Sequence, residues 1–508
     1  SELQKIRISK FDKGQNSKDF FDTLQPNESV LVENLEINNL GQAITRKGQS
    51  LFLTDVGSIP FLGLGSYYVD ATTSYLVTAS GTTVVRQGTT DWSQISTSSM
   101  GSGNDTGFIQ ANGLLFVYNG SANTAWWNNS LWIPGGTWAS TSPPVATTSA
   151  WLNNYLFLAG DPVNPDWVYV SNNLAPKIFS ANDILKINTG DGQKVQRIEP
   201  YRTGDIIVYK ERSIFDIDIS QINAGCSPQP TCQWTVTPIS KDIGTPAPRS
   251  VVSLGNDQWF LSSQPFAVRS LIRSQFDKTF VQMNSLPIQD IFNGNGTTTI
   301  NTTQIGKAAG VIFNSKYLLA IPTGSSTVNN FVVVYDFLVN GWFTITGWYP
   351  KDWIVYQNNL YYTDANDGRV VKCFTGTTGD FGTNAVSSSG PTVAINSDYQ
   401  SRGIDFGYPE NFKQLDSISL EFYPTGNYDA TIYINIDNNG WQTAGTLNLS
   451  GNGLTTLGGA GFATKTLQLT SFGEFKKIQV RVRLNTVSEN ITLQAMDVYA
   501  RIKPFRRE

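Results

Sequence analysis

Few stretches of this 508-residue sequence carry residue types at spacings that could do chemistry. Asp364-Ala365-Asn366-Asp367-Gly368 resembles the start of a calcium loop, where alternate carboxylate and amide oxygens surround a hard cation. An EF-hand loop needs glycine at its sixth place, whereas Gly368 is fifth, and no helical pattern flanks it. A hairpin turn is the simpler reading, as it is for Asp437-Asn438-Asn439-Gly440. The stretch Gly101-Ser102-Gly103-Asn104-Asp105-Thr106-Gly107 lacks the Lys-Ser/Thr of a phosphate loop and the spacing of a dinucleotide fingerprint, so it reads as a plain loop. Thirteen tryptophans, densest at Trp126, Trp127, Trp132 and Trp138, could stack on sugars. Large aromatics also fill the wedge between packed sheets, and that is the expected role. No carboxylate pair for glycoside hydrolysis can be picked out. The Ser-x-Asp-x-Gly-x-x-Trp turn of propeller sialidases is absent.

Histidine is absent altogether. That removes imidazole general bases, Ser-His-Asp and Cys-His nucleophiles, and His-ligated metal sites. That argues against catalysis but leaves Asp/Glu chemistry open, and no catalytic residue, metal ligand or cofactor-binding residue is assigned. Of the cysteines, Cys226 and Cys232 are close enough to bridge a loop tip, or to remain two free thiols on a hairpin; Cys373 stands apart.

Composition narrows the class further. Hydrophobic residues make up 40%, enough for a sizeable core, while charged residues are only 15%, against about 25% in ordinary globular chains. A net charge of −4 argues against gripping nucleic acid over a broad face. No apolar run reaches the length of a membrane-spanning helix. Ser1-Glu2-Leu3-Gln4-Lys5 lacks the apolar stretch of a signal peptide, so the expectation is a soluble protein not exported by that route. A start at Ser1 fits removal of an initiator Met.

The elements that must position any site are strands. Apolar residues alternate or cluster in short runs broken by Asn, Gly and Asp. Short helices are expected only near 17–24 and 285–292. A polar turn followed by an aromatic-aliphatic run recurs seven times. The copies are Thr73-Ser74-Tyr75-Leu76-Val77, Asn112-Gly113-Leu114-Leu115-Phe116, Asn153-Asn154-Tyr155-Leu156-Phe157 and Gly204-Asp205-Ile206-Ile207-Val208. Asn256-Asp257-Gln258-Trp259-Phe260, Asn314-Ser315-Lys316-Tyr317-Leu318 and Asn358-Asn359-Leu360-Tyr361-Tyr362 follow. Successive starts differ by 39, 41, 51, 52, 58 and 44 residues. One hairpin per 40–50 residues in an all-β chain points to a β-propeller of about seven blades. Asn340-Gly341 between apolar runs marks a further hairpin.

After about residue 390 the alternation becomes clean. Ile418, Leu420 and Phe422 share a face, as do Ala430, Ile432, Ile434 and Ile436, and Ile478, Val480, Val482 and Leu484. One buried and one wet face describe a sandwich strand. A slip from Ile491 and Leu493 to Met496 and Val498 predicts a bulge near Ala495. The organisation is thus an N-terminal arm over 1–60, a β-propeller-like domain over 61–392 and a jelly-roll-like β-sandwich over 393–508. The arm carries seven acids and seven bases in its first 50 residues and is expected to lie across the propeller or a neighbour. The last 35 residues hold eight Lys/Arg, among them Lys503, Arg506 and Arg507, and read as a solvated tail.

The arm also carries a family resemblance. Phe11-Asp12-x-Gly14-x-Asn16, Leu24-Gln25-Pro26-Asn27-Glu28-Ser29, Glu33-Asn34-Leu35-Glu36-Ile37 and Gly41-Gln42-Ala43-Ile44-Thr45-Arg46-Lys47-Gly48 resemble the start of bacteriophage tail nozzle or tail hub proteins. Lys13-Gly14 stands where that pattern has Gly-Gly. Gly244-Thr245-Pro246-Ala247-Pro248-Arg249, Phe475-Lys476-Lys477-Ile478 and Met496-Asp497-Val498-Tyr499-Ala500 are similar to later parts of the family. The resemblance implies a non-enzymatic virion tail protein, made in the host cytoplasm. It implies a homo-hexameric ring that touches the tail connector or adaptor and anchors a fibre or spike. Viral DNA would pass through without specific binding, and no membrane span is implied. Leu24, Pro26, Asn27, Glu28, Asn34, Arg46 and Gly48 are the implied assembly residues. The alternatives are a carbohydrate- or receptor-binding tail protein using the tryptophans and, behind it, a polysaccharide hydrolase or lyase.

Overall fold

Each of the seven repeated runs forms the second strand of a four-stranded antiparallel unit. The computed structural model describes residues 2–53, 59–101, 103–135, 143–220, 234–272, 280–376, 379–381, 393–451 and 461–504. Packing on both faces explains why these strands are apolar throughout: Leu115, Phe116 and Val117, and likewise Leu156, Phe157 and Leu158, are fully buried. Each such side chain contributes about 1.5–3 kcal/mol on leaving water. Asn112-Gly113, Asn153-Asn154, Asn314-Ser315 and Gln357-Asn358 have positive φ at both residues. That is the two-residue hairpin geometry which asparagine and glycine tolerate best. The turn after Phe331–Asp336 is longer, with Asn340 alone at φ 52 and Asp336 paired to Gly341.

The molecule is all-β with a propeller arrangement. Six four-stranded sheets stand separately: 64–94, 107–133, 148–186, 195–240, 252–283, and 350–375 completed by Gly48–Leu51. The remaining meander, from Ala309–Phe313 to Gly341–Thr346, belongs to a nine-stranded sheet. Six blades thus stand as sheets of their own, which corrects the expectation of about seven. The reason is local: Glu33 of Ser29–Glu33 pairs in parallel with Thr344, so that meander's edge is extended rather than free. The first strands of successive units touch in order, and Pro350–Tyr356 touches Leu64–Tyr68, which closes the ring.

Residues 2–53 are threaded through this body. Leu3–Ile8 and Ala43–Thr45 pair with Thr492–Ile502, and Leu35–Ile37 pairs with Ala43–Thr45. Ser29–Glu33 lies between Gly341–Thr346 and Ser397–Ser401. Gly48–Leu51 is the outer strand of the last propeller sheet. Gly14 shows why a glycine starts this path. Its φ is +65, and a Cβ there would fall 2.4 Å from the Trp342 carbonyl oxygen, which accepts from the Gln15 N–H at 2.7 Å.

From Ser397 on, in the second body, the strands belong to two sheets, and their buried side chains, including Ile418, Leu420, Phe422, Ile432, Val480 and Val498, share one core with residues of the propeller such as Leu318 and Trp353. The register shift on the last strand falls between Leu493 and Ala495. Helix is scarce: Leu286–Ile288 is a 3-10 turn and Gln289–Asn293 one α-helical turn. The helix expected at 17–24 is replaced by turns, because the Asn16 side chain accepts the Asp19 N–H and Phe20 O accepts the Thr23 N–H.

Candidate functional site

The resemblance residues split into two places. Leu24 to Glu28 form a closed turn: Glu28 Oε2 accepts the Gln25 N–H at 2.7 Å, and Gln25 O accepts the Glu28 N–H at 3.0 Å. Leu24 is buried, Pro26 is exposed, and Asn27 Nδ2 donates to Asp12 Oδ1 at 2.9 Å. Asn34, Arg46 and Gly48 lie elsewhere, at the junction of propeller and second body. Arg46 is 1 % exposed. Its guanidinium donates to Asp380 Oδ1 at 3.0 Å and Oδ2 at 2.5 Å, to Asn34 Oδ1 at 2.8 Å and to Thr346 O at 3.1 Å. It also lies 4.6 Å from the Trp348 ring centroid. Asn34 Nδ2 donates to Thr346 Oγ1 and Asn396 O, both at 2.8 Å. Gly48, buried, opens the strand that completes the last propeller sheet, opposite Thr375. A bidentate arginine–carboxylate pair with every donor engaged is a fastening, not a reactive site.

Beside it, Glu33 is unusual. Burial, with help from the Asp398 charge, pushes its carboxyl up to about 7, against the Thr346 hydrogen bond and the charges of Arg483 and Arg481. The folded state therefore binds a proton that the unfolded state releases near the ordinary glutamate value. Glu33 costs nothing below about pH 4.5. Its share of stability then falls by up to about 1.4 kcal/mol per pH unit until the folded group ionises near 7. Glu33→Gln is expected to raise the urea midpoint over wild type at pH 8 and to leave it unchanged at pH 4. Equal midpoints at pH 8 would refute the assignment.

The second place is the propeller axis. A cavity of about 710 Å³ is lined from every unit of the ring, with Asp105, Tyr118, Arg197, Arg249, Asp352 and Trp353 among the lining residues. The charged groups come from first strands or the loops just before them. Asp352 Oδ2 accepts the Leu64 N–H at 2.9 Å, tying the last unit to the first. Arg249 donates to Leu62 O at 3.0 Å and approaches Asp105 at 3.5 Å; Lys351 approaches Asp105 at 3.0 Å. Arg197 pairs with Glu199 at 2.8 Å. Burial alone would raise the Asp105 carboxyl, but Arg249 and Lys351 outweigh it and hold the group below its ordinary value. Burial would lower Arg249, yet Asp352 and Asp105 raise it. The axis therefore carries fixed charges of both signs. In the sequence Asp105 stands in a plain loop and Arg249 in a stretch similar to the tail family, and no motif marks Arg197, Lys351 or Asp352. The signal available was position, since Arg197 and Asp352 stand on the strand that precedes a repeated run.

The other candidates resolve simply. Trp126, Trp127 and Trp132 are 8%, 3% and 4% exposed, so they fill the wedge between sheets and offer no face to a sugar; Trp138 lies outside the described residues. At the calcium-like turn a guanidinium takes the cation's place: Arg369 Nε donates to Asp367 Oδ1 at 2.6 Å, and Arg369 Nη2 lies 3.7 Å from Asp364 Oδ2. Asp437 and Asn438 form a positive-φ hairpin turn, and Asp437 Oδ1 accepts the N–H groups of Lys476 and Lys477. Among the described residues no cluster of three or more His, Cys, Asp or Glu could hold a metal, and no helix is long and apolar enough to cross a membrane. Cys226, Cys232, Arg506 and Arg507 lie outside the described residues. Lys503 pairs with Glu474. Cys373 is buried, and burial raises its thiol far from reactivity.

No family model matches this chain, and no curated protein matches it. Several solved structures are similar in shape. BamB from Moraxella catarrhalis has a TM-score of 0.39 and 9% identity, covering 73% of this chain and 97% of its own. The computationally designed Ika8 protein has a TM-score of 0.38 and 9% identity, over 65% of this chain and 100% of its own. The extracellular domain of BT4673 from B. thetaiotaomicron has a TM-score of 0.42 and 9% identity, over 88% of this chain and 62% of its own. At this distance they carry no argument about what the chain does.

Proposed function

We propose that this chain is a structural subunit of a bacteriophage tail, a nozzle- or hub-like component that assembles as a ring of about six copies. The observation that supports the reading most is the path of residues 2–53. The segment that carries the family resemblance is the strap that joins the propeller to the second body, fastened by Arg46 and Asp380. Such a strap suits a part that bears load rather than one that turns over. In this reading the two sheets beyond 393 form a jelly-roll-like sandwich that meets the connector, a fibre or spike, or a neighbouring copy. DNA runs along the axis of the assembled ring. The axis of a single propeller is crossed by Asp105, Arg249 and Lys351 and cannot pass a duplex whose major groove alone is about 12 Å wide. The protein is made in the host cytoplasm and resides in the virion. Catalysis has no place in this reading. Burial of the tryptophan cluster leaves the sugar-binding alternative without its main support.

Native mass spectrometry of the full chain, alone and mixed with disassembled tails, tests the proposal. A ring of about six copies, or release together with tail proteins, is the expected result. A monomer that never accompanies tail assemblies overturns it.

A further inference from the structure

We propose that a cavity between the strap and the last two units of the ring binds one neutral hexose ring, as a free sugar or as the end of a glycan. The inference goes beyond the tail-ring reading and does not rest on it. The cavity has a volume of about 280 Å³, near the lower end of small-molecule sites at about 300 Å³. Asn314 borders it from the first hairpin turn of the meander and Asn358 from that of the last sheet, while Glu36 and Lys47 come from the strap. No tryptophan lines it.

Three observations define what it takes. The first is an acceptor without a donor. Glu36 is partly buried, and among the described residues no protein donor hydrogen-bonds to its carboxylate. Burial pushes that carboxyl up, against the charges of Lys316 and Arg46. A carboxylate so poorly solvated gains from hydroxyl donors that reach it through the cavity. The second is the balance of charge. Lys316 also lines the cavity, but Asp336 already meets it at 3.5 Å. Lys47 and Glu36 then offset each other. The lining has no surplus charge for an anion or a cation, and it favours a neutral ligand. The third is apolar surface beside the polar groups. Phe313 and Phe374, both partly exposed, line the same cavity and stack at 6.1 Å with 11° between their planes. The exposed side-chain amides of Asn314 and Asn358 have no protein partner among the described residues.

The ligand therefore needs hydroxyl donors for Glu36, acceptors for Lys47 and the two amides, and C–H surface for the phenylalanine rings. A hexose carries all three on one ring. A sugar acid meets Glu36 with a like charge, and an amino sugar meets Lys47 and Lys316 with one.

The test is saturation-transfer NMR of the full chain with methyl α-D-glucopyranoside, methyl α-D-mannopyranoside and methyl β-D-galactopyranoside, beside sodium D-glucuronate and D-glucosamine hydrochloride. At least one neutral glycoside is expected to bind in the millimolar range, with transfer strongest at its ring C–H protons and both charged sugars about tenfold weaker. Glu36→Gln keeps the shape and removes a poorly solvated charge, so it is expected to melt no lower than wild type and to weaken the glycoside about tenfold. Lys47→Gln, at an exposed position, is expected to keep the wild-type melting temperature and weaken binding about threefold. A disaccharide ending in the best-binding sugar that binds more tightly than the monosaccharide assigns the ligand to a glycan end; equal binding assigns it to the single sugar. The proposal is overturned by absence of transfer from all three glycosides, by a charged sugar binding as tightly, or by undiminished affinity in either variant. None of these results alters the copy number seen by native mass spectrometry, so the two readings fail separately.

Discussion

Arg46→Ala is expected to lower the stability of the chain by about 3–5 kcal/mol, read as a fall in the urea midpoint. The wild-type guanidinium serves two carboxylate oxygens of Asp380, the Asn34 amide and the Thr346 carbonyl, at a place with almost no solvent. Truncation leaves Asp380 buried without its cation, and the cost of that orphaned charge dominates the loss. Arg46→Lys should recover only part, since one ammonium cannot span both carboxylate oxygens and lie flat over Trp348. The paired replacement Arg46→Met with Asp380→Leu should recover most of it, because no charge is then left in the core. If Arg46→Ala unfolds at the wild-type midpoint, the fastening role is wrong.

Trp342→Ala has an expected cost of similar size, about 3–5 kcal/mol. Trp342 is 1% exposed and packs among Trp259, Tyr317 and Val333 in a core of its own. Its indole N–H donates to Asn284 O at 3.0 Å, and its ring lies 5.1 Å from that of Tyr335. The collapse around so large a void is incomplete, so the cavity adds to the lost transfer energy. The backbone of Trp342 also receives the strap at Gln15. Loosening this strand should therefore speed amide exchange at Gln15 as well as lower the midpoint. A drop in midpoint with no change at Gln15 would show that the strap is held independently of this side chain.

The two predictions rest on parts of the fold that differed in legibility. The second strands of the propeller units could be read because a positive-φ turn is followed by a run buried on both faces, as at Asn153-Asn154 and Tyr155–Ala159. The outer strands could not: Trp92–Gln94 has three residues, and Thr235–Ser240 is polar, half exposed and interrupted by Pro238. The strap was hidden for another reason. Leu35–Ile37 and Ala43–Thr45 are too short to show a period, and the partners of the strap lie hundreds of residues away. The motif containing Asn34 and Arg46 stood out as a pattern, but nothing in it announced Asp380. The axial residues were the least visible. Asp105, Arg249 and Lys351 are scattered along the chain and meet only because the ring closes.

That closure also orders events at the ribosome. Gly48–Leu51 leaves the exit tunnel early, but its partner Val370–Thr375 is made roughly 320 residues later, tens of seconds at ordinary elongation rates of about 5–20 residues per second. Through that interval the strand has no place to dock, and the edge it will cover does not yet exist. Nascent chains halted before residue 350 should thus hold an unclosed, adhesive array of sheets, and the strand at Gly48–Leu51, although synthesised before its partner, is among the last pieces to be seated.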